Sequence, residues 1–213
     1  MAIIPVDEKV FMVSNSTNTT YSGSASLKAM NEWYTMQDVS DSIQPYKVFT
    51  ALLTQTGTGD ELNKNSGLLI VGVTYKIDDN SGGLDMMNVG APNNDMGTYF
   101  IATGTTPSSY GTGNLTYDPG APVATVLENT IGNIWFTYDG AGTYNINSDG
   151  LLSIDKRQFY YGLLKSADNA NGIIIESDGA AYNNNFIQII TLDNGENAAN
   201  GMNNIPIEIR VYN

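Results

Sequence analysis

Cysteine and histidine are both absent from the 213-residue sequence. Without cysteine the chain can form neither a disulfide framework nor a thiolate metal site. Without histidine it lacks the commonest general base, the commonest transition-metal ligand and the usual pH switch. Any chemistry would depend on carboxylates, tyrosine, lysine and hydroxyl groups. The composition therefore favours a protein that is not an enzyme and that carries no cofactor and no metal.

Basic residues and long apolar runs are also scarce. Nine Lys and Arg residues stand against 22 Asp and Glu residues, which gives a formal net charge of −13. Such a charge repels phosphate backbones and anionic lipids, so we expect no direct nucleic-acid or membrane partner. The first 20 residues lack the basic start and the long apolar core of a signal peptide, and no window reaches the roughly 18 apolar residues of a membrane span. We therefore expect a soluble protein.

Period-two alternation of apolar and polar residues dominates what is present, and it is typical of half-buried strands. In the stretch 68–77 one predicted face carries Leu69, Val71, Val73, Tyr75 and Ile77. In the C-terminal stretch 204–213 one face carries Ile205, Ile207, Ile209 and Val211. Pro206 cannot donate a ladder hydrogen bond, so we expect it at the start of a strand or on an edge strand.

Turn signals rich in Gly, Asn and Asp separate these runs at short spacing. Asn and Asp bond to their own backbone and Gly supplies positive φ, so such clusters mark turns. They lie at 78–83, 93–97, 138–142, 147–150, 167–172 and 192–201. Strand and turn alternation without a helical pattern predicts an all-β fold, an antiparallel sandwich of the jelly-roll or immunoglobulin-like type.

The N-terminal region is the exception to this pattern. Residues 35–43 carry a weak capping box and apolar residues at helical spacing, which predicts one short helix that Pro45 ends. The preceding stretch 14–26 is polar and low in complexity, as in a segment that orders only against a neighbour. We expect residues 1–45 to form an extended arm.

Carboxylates give no clear catalytic or metal site. A glycoside hydrolase needs two of them held roughly 5–10 Å apart across a cleft, and no spacing in the sequence pairs any two. The stretch 78–85 groups Asp78, Asp79, Asn80 and Asp85 around glycines, but it lacks the twelfth-position Glu and the flanking helices of an EF-hand. A turn is the favoured interpretation of this stretch.

Aromatic residues leave two interpretations open. In 131–140, Ile134, Phe136 and Tyr138 share one predicted face and Trp135 lies on the other. Trp135 belongs either to a core or subunit interface, which we favour, or to an exposed platform for a sugar or a partner chain. Tyr99 and Tyr110 are further candidate contacts of the same kind, because tyrosine and asparagine together are typical of adaptable binding surfaces.

Three stretches resemble virion structural proteins of tailed phages that infect Bacteroidetes, including crAss-like phages. They are "MNEWYTMQDVSDSIQPYKVFTALLTQTG", "GAPVATVLENTIGNIWFTYDGAGTY" and "NIPIEIRVYN". In similar proteins the first two motifs lie close together. Here about sixty residues separate them, and this intervening stretch resembles a module found by itself in many phage appendage proteins.

The resemblance implies a division of the chain into three parts. The first part is the arm at residues 1–45, and the second is a β-sandwich of residues 46–57 and 119–213. The third is a small β module at 58–118, which is inserted into one of the loops of the sandwich. Loop insertions cost little closure entropy, so a sandwich tolerates them. The Gly-, Asn- and Thr-rich stretch 90–113 would then supply the turns and the exposed face of the module.

The function that the resemblance implies is that of a non-enzymatic virion subunit: a fibre, a tail appendage or a capsid decoration. It would assemble in the host cytoplasm, form a homo-oligomer such as a trimer, and contact other virion proteins. The arm would dock the protein through a segment that contains Trp33, Tyr34, Met36 and Val39. The alternative is a carbohydrate- or receptor-binding module that contacts host surface glycans through Trp135, Tyr99 or Tyr110.

Overall fold

The computed structural model describes residues 45–55, 57–59, 61–162, 172–176, 184–192 and 199–213. Those from Tyr46 onward belong to one compact unit. Its secondary structure consists of short to medium strands and one 3₁₀-helix at Met87–Val89. In chain order the described strands are β1 (Tyr46–Gln55), β2 (Leu62–Lys64), β3 (Thr74–Asp79), β4 (Tyr99–Ile101), β5 (Asn114–Tyr117), β6 (Val123–Asn129), β7 (Ile134–Gly140), β8 (Thr143–Ser148), β9 (Arg157–Tyr161), β10 (Gly172–Glu176), β11 (Phe186–Leu192) and β12 (Met202–Tyr212).

Eight of these strands form two four-stranded antiparallel sheets. The first sheet has the order β6-β1-β12-β9, and the second has the order β10-β11-β8-β7. The consecutive strands β8 and β9 lie in different sheets, where β8 pairs with β11 and β9 pairs with β12. Immunoglobulin sandwiches have the same arrangement: the consecutive strands B and C lie in different sheets, where B pairs with E and C pairs with F. The predicted all-β antiparallel sandwich is confirmed.

The main core lies between these two sheets. In β12 the inward residues alternate as the sequence predicts: Ile205, Ile207 and Ile209 are buried, and Val211 packs against the same core. From the second sheet, Phe136 packs against Phe49 of β1 with ring centroids 6.2 Å apart. Since burial of such side chains contributes about 1.5–3 kcal/mol each, these rows supply most of the driving force for the sandwich.

The third sheet lies within the connection between β1 and β6, and its order is β2-β5-β3-β4. Strands β1 and β6 are themselves antiparallel neighbours, with Thr54 opposite Val123, so the whole sheet occupies the position of a hairpin loop. It has its own buried cluster. The members of that cluster are Leu69, Val73, Tyr75, Ile77, Leu84, Met86, Val89, Ala91, Phe100, Ala102 and Leu115. The predicted module range 58–118 contains all four strands of this sheet.

The third sheet covers part of an open edge of the sandwich, where β6 and β7 end the first and second sheets. The amide of Ala124 in β6 donates to the carbonyl of Gly72 over 2.8 Å, and that of Phe136 in β7 donates to Thr74 Oγ1 over 3.0 Å. Ile101 of β4 packs within the main core. Edge strands expose unpaired backbone groups, so this contact satisfies groups that the sandwich alone would leave free.

Two strand predictions need correction. Strand β3 begins at Thr74, not at residue 68, because the backbone turns at 70–73: Val73 N–H bonds to Ile70 O over 3.2 Å, and Gly72 has a φ of +85°. Ile70 and Val71 are consequently exposed. Pro206 lies inside a central strand, opposite Leu52 of β1. Its carbonyl accepts a hydrogen bond from the amide of Gly162, which lies just past the end of β9. In an antiparallel pair the N–H and C=O of one residue point to the same neighbour, so the N–H that Pro206 lacks would also point beyond the end of β9.

The stretch 90–113 contributes to a core in addition to forming turns and exposed surface. Phe100 and Ala102 belong to the buried cluster of the third sheet, although the predicted role of this stretch was turns and an exposed face. The predicted helix at 35–43 and the docking residues Trp33, Tyr34, Met36 and Val39 lie outside the described residues. Within the described part of the chain, no helix has the length and hydrophobicity that crossing a membrane requires.

Candidate functional site

Tyr99 and Trp135, two of the predicted contact residues, stack on each other. Tyr99 belongs to β4 and Trp135 to β7; their ring centroids lie 5.3 Å apart and their planes differ by 9°. From the neighbouring strand β3, the Lys76 ammonium lies 5.9 Å from the centroid of the Tyr99 ring. Both rings are half-buried. The pair therefore joins the third sheet to the sandwich, and part of each ring still contacts solvent.

A hydrogen bond from Asn133 helps to fix the relative position of Tyr99 and Trp135. The side-chain amide of Asn133 donates to the carbonyl of Tyr99 over 2.9 Å. Asn133 precedes β7 and Tyr99 is the first residue of β4, so the bond ties the start of β4 to the start of β7. Together with the bond between Phe136 and Thr74, it holds the two rings in one relative position before any ligand arrives, which limits the entropy that binding would cost.

An open cleft of about 350 Å³ lies beside the stacked pair. One wall is the loop before β4, where Asn93 Oδ1 accepts hydrogen bonds from the backbone of Asp95 and from Thr98 Oγ1. The cleft is lined by Pro92, Asn93, Met96, Gly97, Thr98, Tyr99, Asn133, Trp135 and Asp149. This volume falls within the range of about 300–1,000 Å³ that is typical of small-ligand sites.

Two polar groups of the cleft, the Trp135 N–H and the Asp149 carboxylate, can form hydrogen bonds with a ligand. Trp135 Nε1 makes no hydrogen bond to any residue that the structure describes. Asp149 is exposed at the end of β8, and the only charge among the lining residues is its carboxylate. The cleft thus combines one aromatic surface with a donor and a carboxylate acceptor, and it carries no cation.

A neutral polar surface adjoins the cleft on the outer face of the second sheet. In the strand register, Asn147 lies opposite Trp135, and Asn145 lies opposite both Thr137 and Gln188. Asn147 donates to Thr137 Oγ1 over 3.0 Å, and Gln188 donates to Asn145 Oδ1 over 3.4 Å. We call these four residues, Thr137, Asn145, Asn147 and Gln188, the amide track.

Tyr110, the third predicted contact residue, lies elsewhere. It packs against the core of the third sheet, and its hydroxyl donates to Gly67 O over 3.0 Å. Burial raises the pKa of its phenol. The residue is not among those that line the cleft, so the structure brings together two of the three predicted contacts.

The acidic stretch 78–85 forms turns. Asp79 Oδ1 accepts from both the backbone and the hydroxyl of Ser81, and these bonds lower the pKa of its carboxyl. Asp85 Oδ1 accepts from Asn94 and from the backbone of Met87, which lowers the pKa of that carboxyl too. Among the described residues, no three acidic side chains are grouped as metal ligands would be. The carboxylates stabilise backbone turns, as the sequence favoured.

Two surface features were missed at the level of sequence. On the outer face of the first sheet, the Arg210 guanidinium lies 4.7 Å from the Tyr46 ring centroid and 5.0 Å from that of Tyr160, and it pairs with Glu208. The alternation in the last strand does place Glu208 and Arg210 on the face opposite Ile207 and Ile209, which is the face expected to contact solvent. The missing information was that β1 and β9 flank β12, because both neighbours are distant in sequence.

The second missed feature is an exposed group of apolar side chains near β6. The exposed fractions are 58% for Ile70, 50% for Val71, 39% for Val126 and 64% for Leu127. The bond between Ala124 and Gly72 brings the two segments together. We call these four residues the apolar strip. Ile70 and Val71 were missed because the sequence wrongly predicted a strand over 68–77.

Comparison with known proteins identifies no relative: no family model matches the chain, and no curated protein or solved structure matches it.

Proposed function

We propose that this protein is a non-enzymatic structural subunit of a phage virion that self-associates through the apolar strip. The sequence resemblance supports the virion setting, and the strip is the observation that carries the assembly role. The four exposed apolar side chains lie on two segments that a backbone hydrogen bond joins, and grouped apolar exposure on a folded protein is typical of contact surfaces. In this proposal the apolar strip contacts a second copy of the chain.

The backbone beside the strip favours contact with another protein. From Thr125 to Asn129, β6 is exposed, and beyond the bond between Ala124 and Gly72 no strand in the described part of the chain pairs with its outer edge. An open edge offers main-chain hydrogen bonds to an added strand. Val126 and Leu127 lie on this edge, so main-chain pairing and apolar burial would occur together.

The low charge of the strip permits contact between two copies of the chain. Two chains of net charge −13 repel each other, and the strip with its flanking strand contains Glu128 as its one charged residue. An antiparallel edge is also self-complementary, because the same residues can meet their own copies across a symmetry axis. The measured mass would decide between a dimer and the trimer that the resemblance to fibres implies.

The test is the mass of the full chain in solution by light scattering, for the wild type and two lysine variants. We expect a discrete oligomer for the wild type, monomers for Leu127→Lys, and the wild-type oligomer for Leu62→Lys. Leu62 is the matched control, since it is a leucine with 47% exposure in strand β2, outside the strip. A monomeric wild type, or an oligomer that survives Leu127→Lys, would contradict the proposal.

The arm has a separate role in this proposal. Residues 1–45, with Trp33, Tyr34, Met36 and Val39, dock the subunit onto other virion proteins, and the β domains face outward. Mass spectrometry of purified particles would detect the subunit, and deletion of residues 1–45 would remove it from them. Full occupancy of particles by the truncated protein would argue against docking through the arm.

A further inference from the structure

The cleft and the amide track adjoin each other at Trp135, and together they form a polar surface whose one charged group is the Asp149 carboxylate. Trp135 belongs to both, because it lines the cleft and lies opposite Asn147 in the sheet register. The third sheet supplies the wall through Thr98 and Tyr99. The surface therefore has the shape of a pocket that opens onto a flat polar sheet face.

The chemistry of this surface fits a sugar ring. An indole presents a large apolar face, against which the C–H face of a pyranose packs, while its N–H end binds a polar group. Trp135 Nε1 has no partner among the described residues, so it can donate to a hydroxyl. The exposed carboxylate of Asp149 can accept from two hydroxyls, and a hydrogen bond to a charged acceptor is stronger than a neutral one.

The charge of the surface selects among sugars. The lining residues include no Lys or Arg, and the amide track is uncharged. Lys76, whose ammonium lies 5.9 Å from the centroid of the Tyr99 ring, pairs with Asp78 over 3.7 Å. The protein as a whole is strongly acidic, and Asp149 would repel a uronate, a sulfate or a phosphate. Amide and hydroxyl side chains, by contrast, exchange hydrogen bonds with neutral hydroxyl groups in either direction.

We propose that the cleft binds a neutral polysaccharide, with one sugar ring packed against the part of the Trp135 indole that Tyr99 does not cover, a hydroxyl group bonded to Asp149, and the chain continuing over the amide track. Tyr99 is a positioning residue that holds the indole in place. The proposal does not depend on the virion role, because a subunit of any assembly could carry such a site. It is equally independent of self-association, since the apolar strip comprises none of the residues that line the cleft.

The first measurement uses tryptophan fluorescence of the full-length Trp33→Phe variant, in which Trp135 is the remaining tryptophan. Dextran, glucomannan, laminarin and arabinan serve as neutral probes, and polygalacturonate serves as the anionic probe. We expect a saturable change of emission with at least one neutral probe and none with polygalacturonate. The absence of a saturable response to all four neutral probes, or a response to polygalacturonate alone, would overturn the proposal.

The second measurement assigns the binding to the cleft by isothermal titration calorimetry with the neutral probe that responds. We expect Asp149→Ala and Trp135→Phe each to weaken binding by about tenfold or more. Asp155→Ala is the matched control, because it removes another exposed carboxylate outside the cleft and should change affinity less than about twofold. Circular dichroism verifies that each variant is folded. Unchanged binding in both Asp149→Ala and Trp135→Phe would overturn the assignment.

Discussion

The sandwich and the third sheet are both antiparallel, but different interactions define their structures. In the sandwich, β1 pairs with β12 along most of its length, from Tyr46 opposite Tyr212 to Gln55 opposite Met202. Alternating apolar rows from distant parts of the sequence meet in one core. In the third sheet the strands have only three to six residues, and long turns surround them.

Those turns are fixed by polar side chains. Asn88 donates to Thr106 O over 2.9 Å and accepts from the backbone of Ser108, while Asn94 Oδ1 accepts from the backbone of Met86 over 2.9 Å. Such bonds replace the ladder bonds that longer strands would supply. Buried apolar rows on long strands therefore determine the sandwich, whereas the third sheet depends on turn geometry and side-chain amides in addition to its own apolar cluster. The two regions should therefore respond to different substitutions.

The largest effect is expected from truncation of the sandwich core. Phe136 is 1% exposed and packs against Phe49. Phe136→Ala should lower the free energy of unfolding by about 3–5 kcal/mol, because it removes buried surface and leaves a cavity. Urea denaturation followed by circular dichroism measures the change. Leu62→Ala, at an exposed position, is the control and should cost less than about 1 kcal/mol; similar costs for the two variants would contradict the apolar account.

A smaller but still large effect is expected from a single methyl group in a turn of the third sheet. Gly111 has a φ of +55°, and a Cβ there would lie 2.3 Å from Gly82 O. Left-handed strain of about 1–2 kcal/mol and displacement of backbone worth about 1–3 kcal/mol should make Gly111→Ala cost about 2–4 kcal/mol. The measurement is again urea denaturation, with amide exchange to locate the loosened strands.

Gly83 provides the matched control for this turn. Its φ is +81°, but no heavy atom lies within 4 Å of the Cβ position. Gly83→Ala should therefore cost only the strain of about 1–2 kcal/mol. Equal costs at Gly83 and Gly111 would mean that the close approach of the two turns does not stabilise the third sheet.

The same difference explains which parts of the fold were predictable. Alternation in 204–213 predicted the buried face of β12 because one face of that strand is core along its whole length. Alternation in 68–77 failed, since Ile70 N–H bonds to the hydroxyl of Tyr75 over 3.1 Å and the chain turns before the strand begins. A period-two pattern cannot distinguish a strand from a turn whose apolar residues remain exposed.

The candidate site was predictable only in part, for a related reason. Trp135 and Tyr99 were chosen as aromatic residues among polar neighbours, and that signal exists in the sequence. Their stacking requires β4 of the inserted sheet to lie beside β7, a contact between residues that no local pattern connects. Asp149 gave no signal at all, because an acidic residue in a turn is ordinarily a solvated one.

An effect smaller than those of Phe136→Ala and Gly111→Ala is expected at the bond that joins the two regions. Thr74 is 5% exposed, and its Oγ1 accepts the amide of Phe136 over 3.0 Å. Thr74→Val keeps the shape of the side chain but leaves that buried N–H without an acceptor. The expected cost is about 1–3 kcal/mol in urea denaturation, with faster hydrogen exchange at the Phe136 amide.

Thr116 is the control for this junction, because it is a buried threonine of the same sheet with 7% exposure. Its Oγ1 is buried and has no hydrogen-bond partner among the described residues. Thr116→Val should therefore leave stability unchanged or raise it, since it removes a desolvated hydroxyl. If both valine variants were neutral, packing of Ile101 and the ring stack would account for the junction, and the third sheet would be attached to the sandwich by apolar contacts alone.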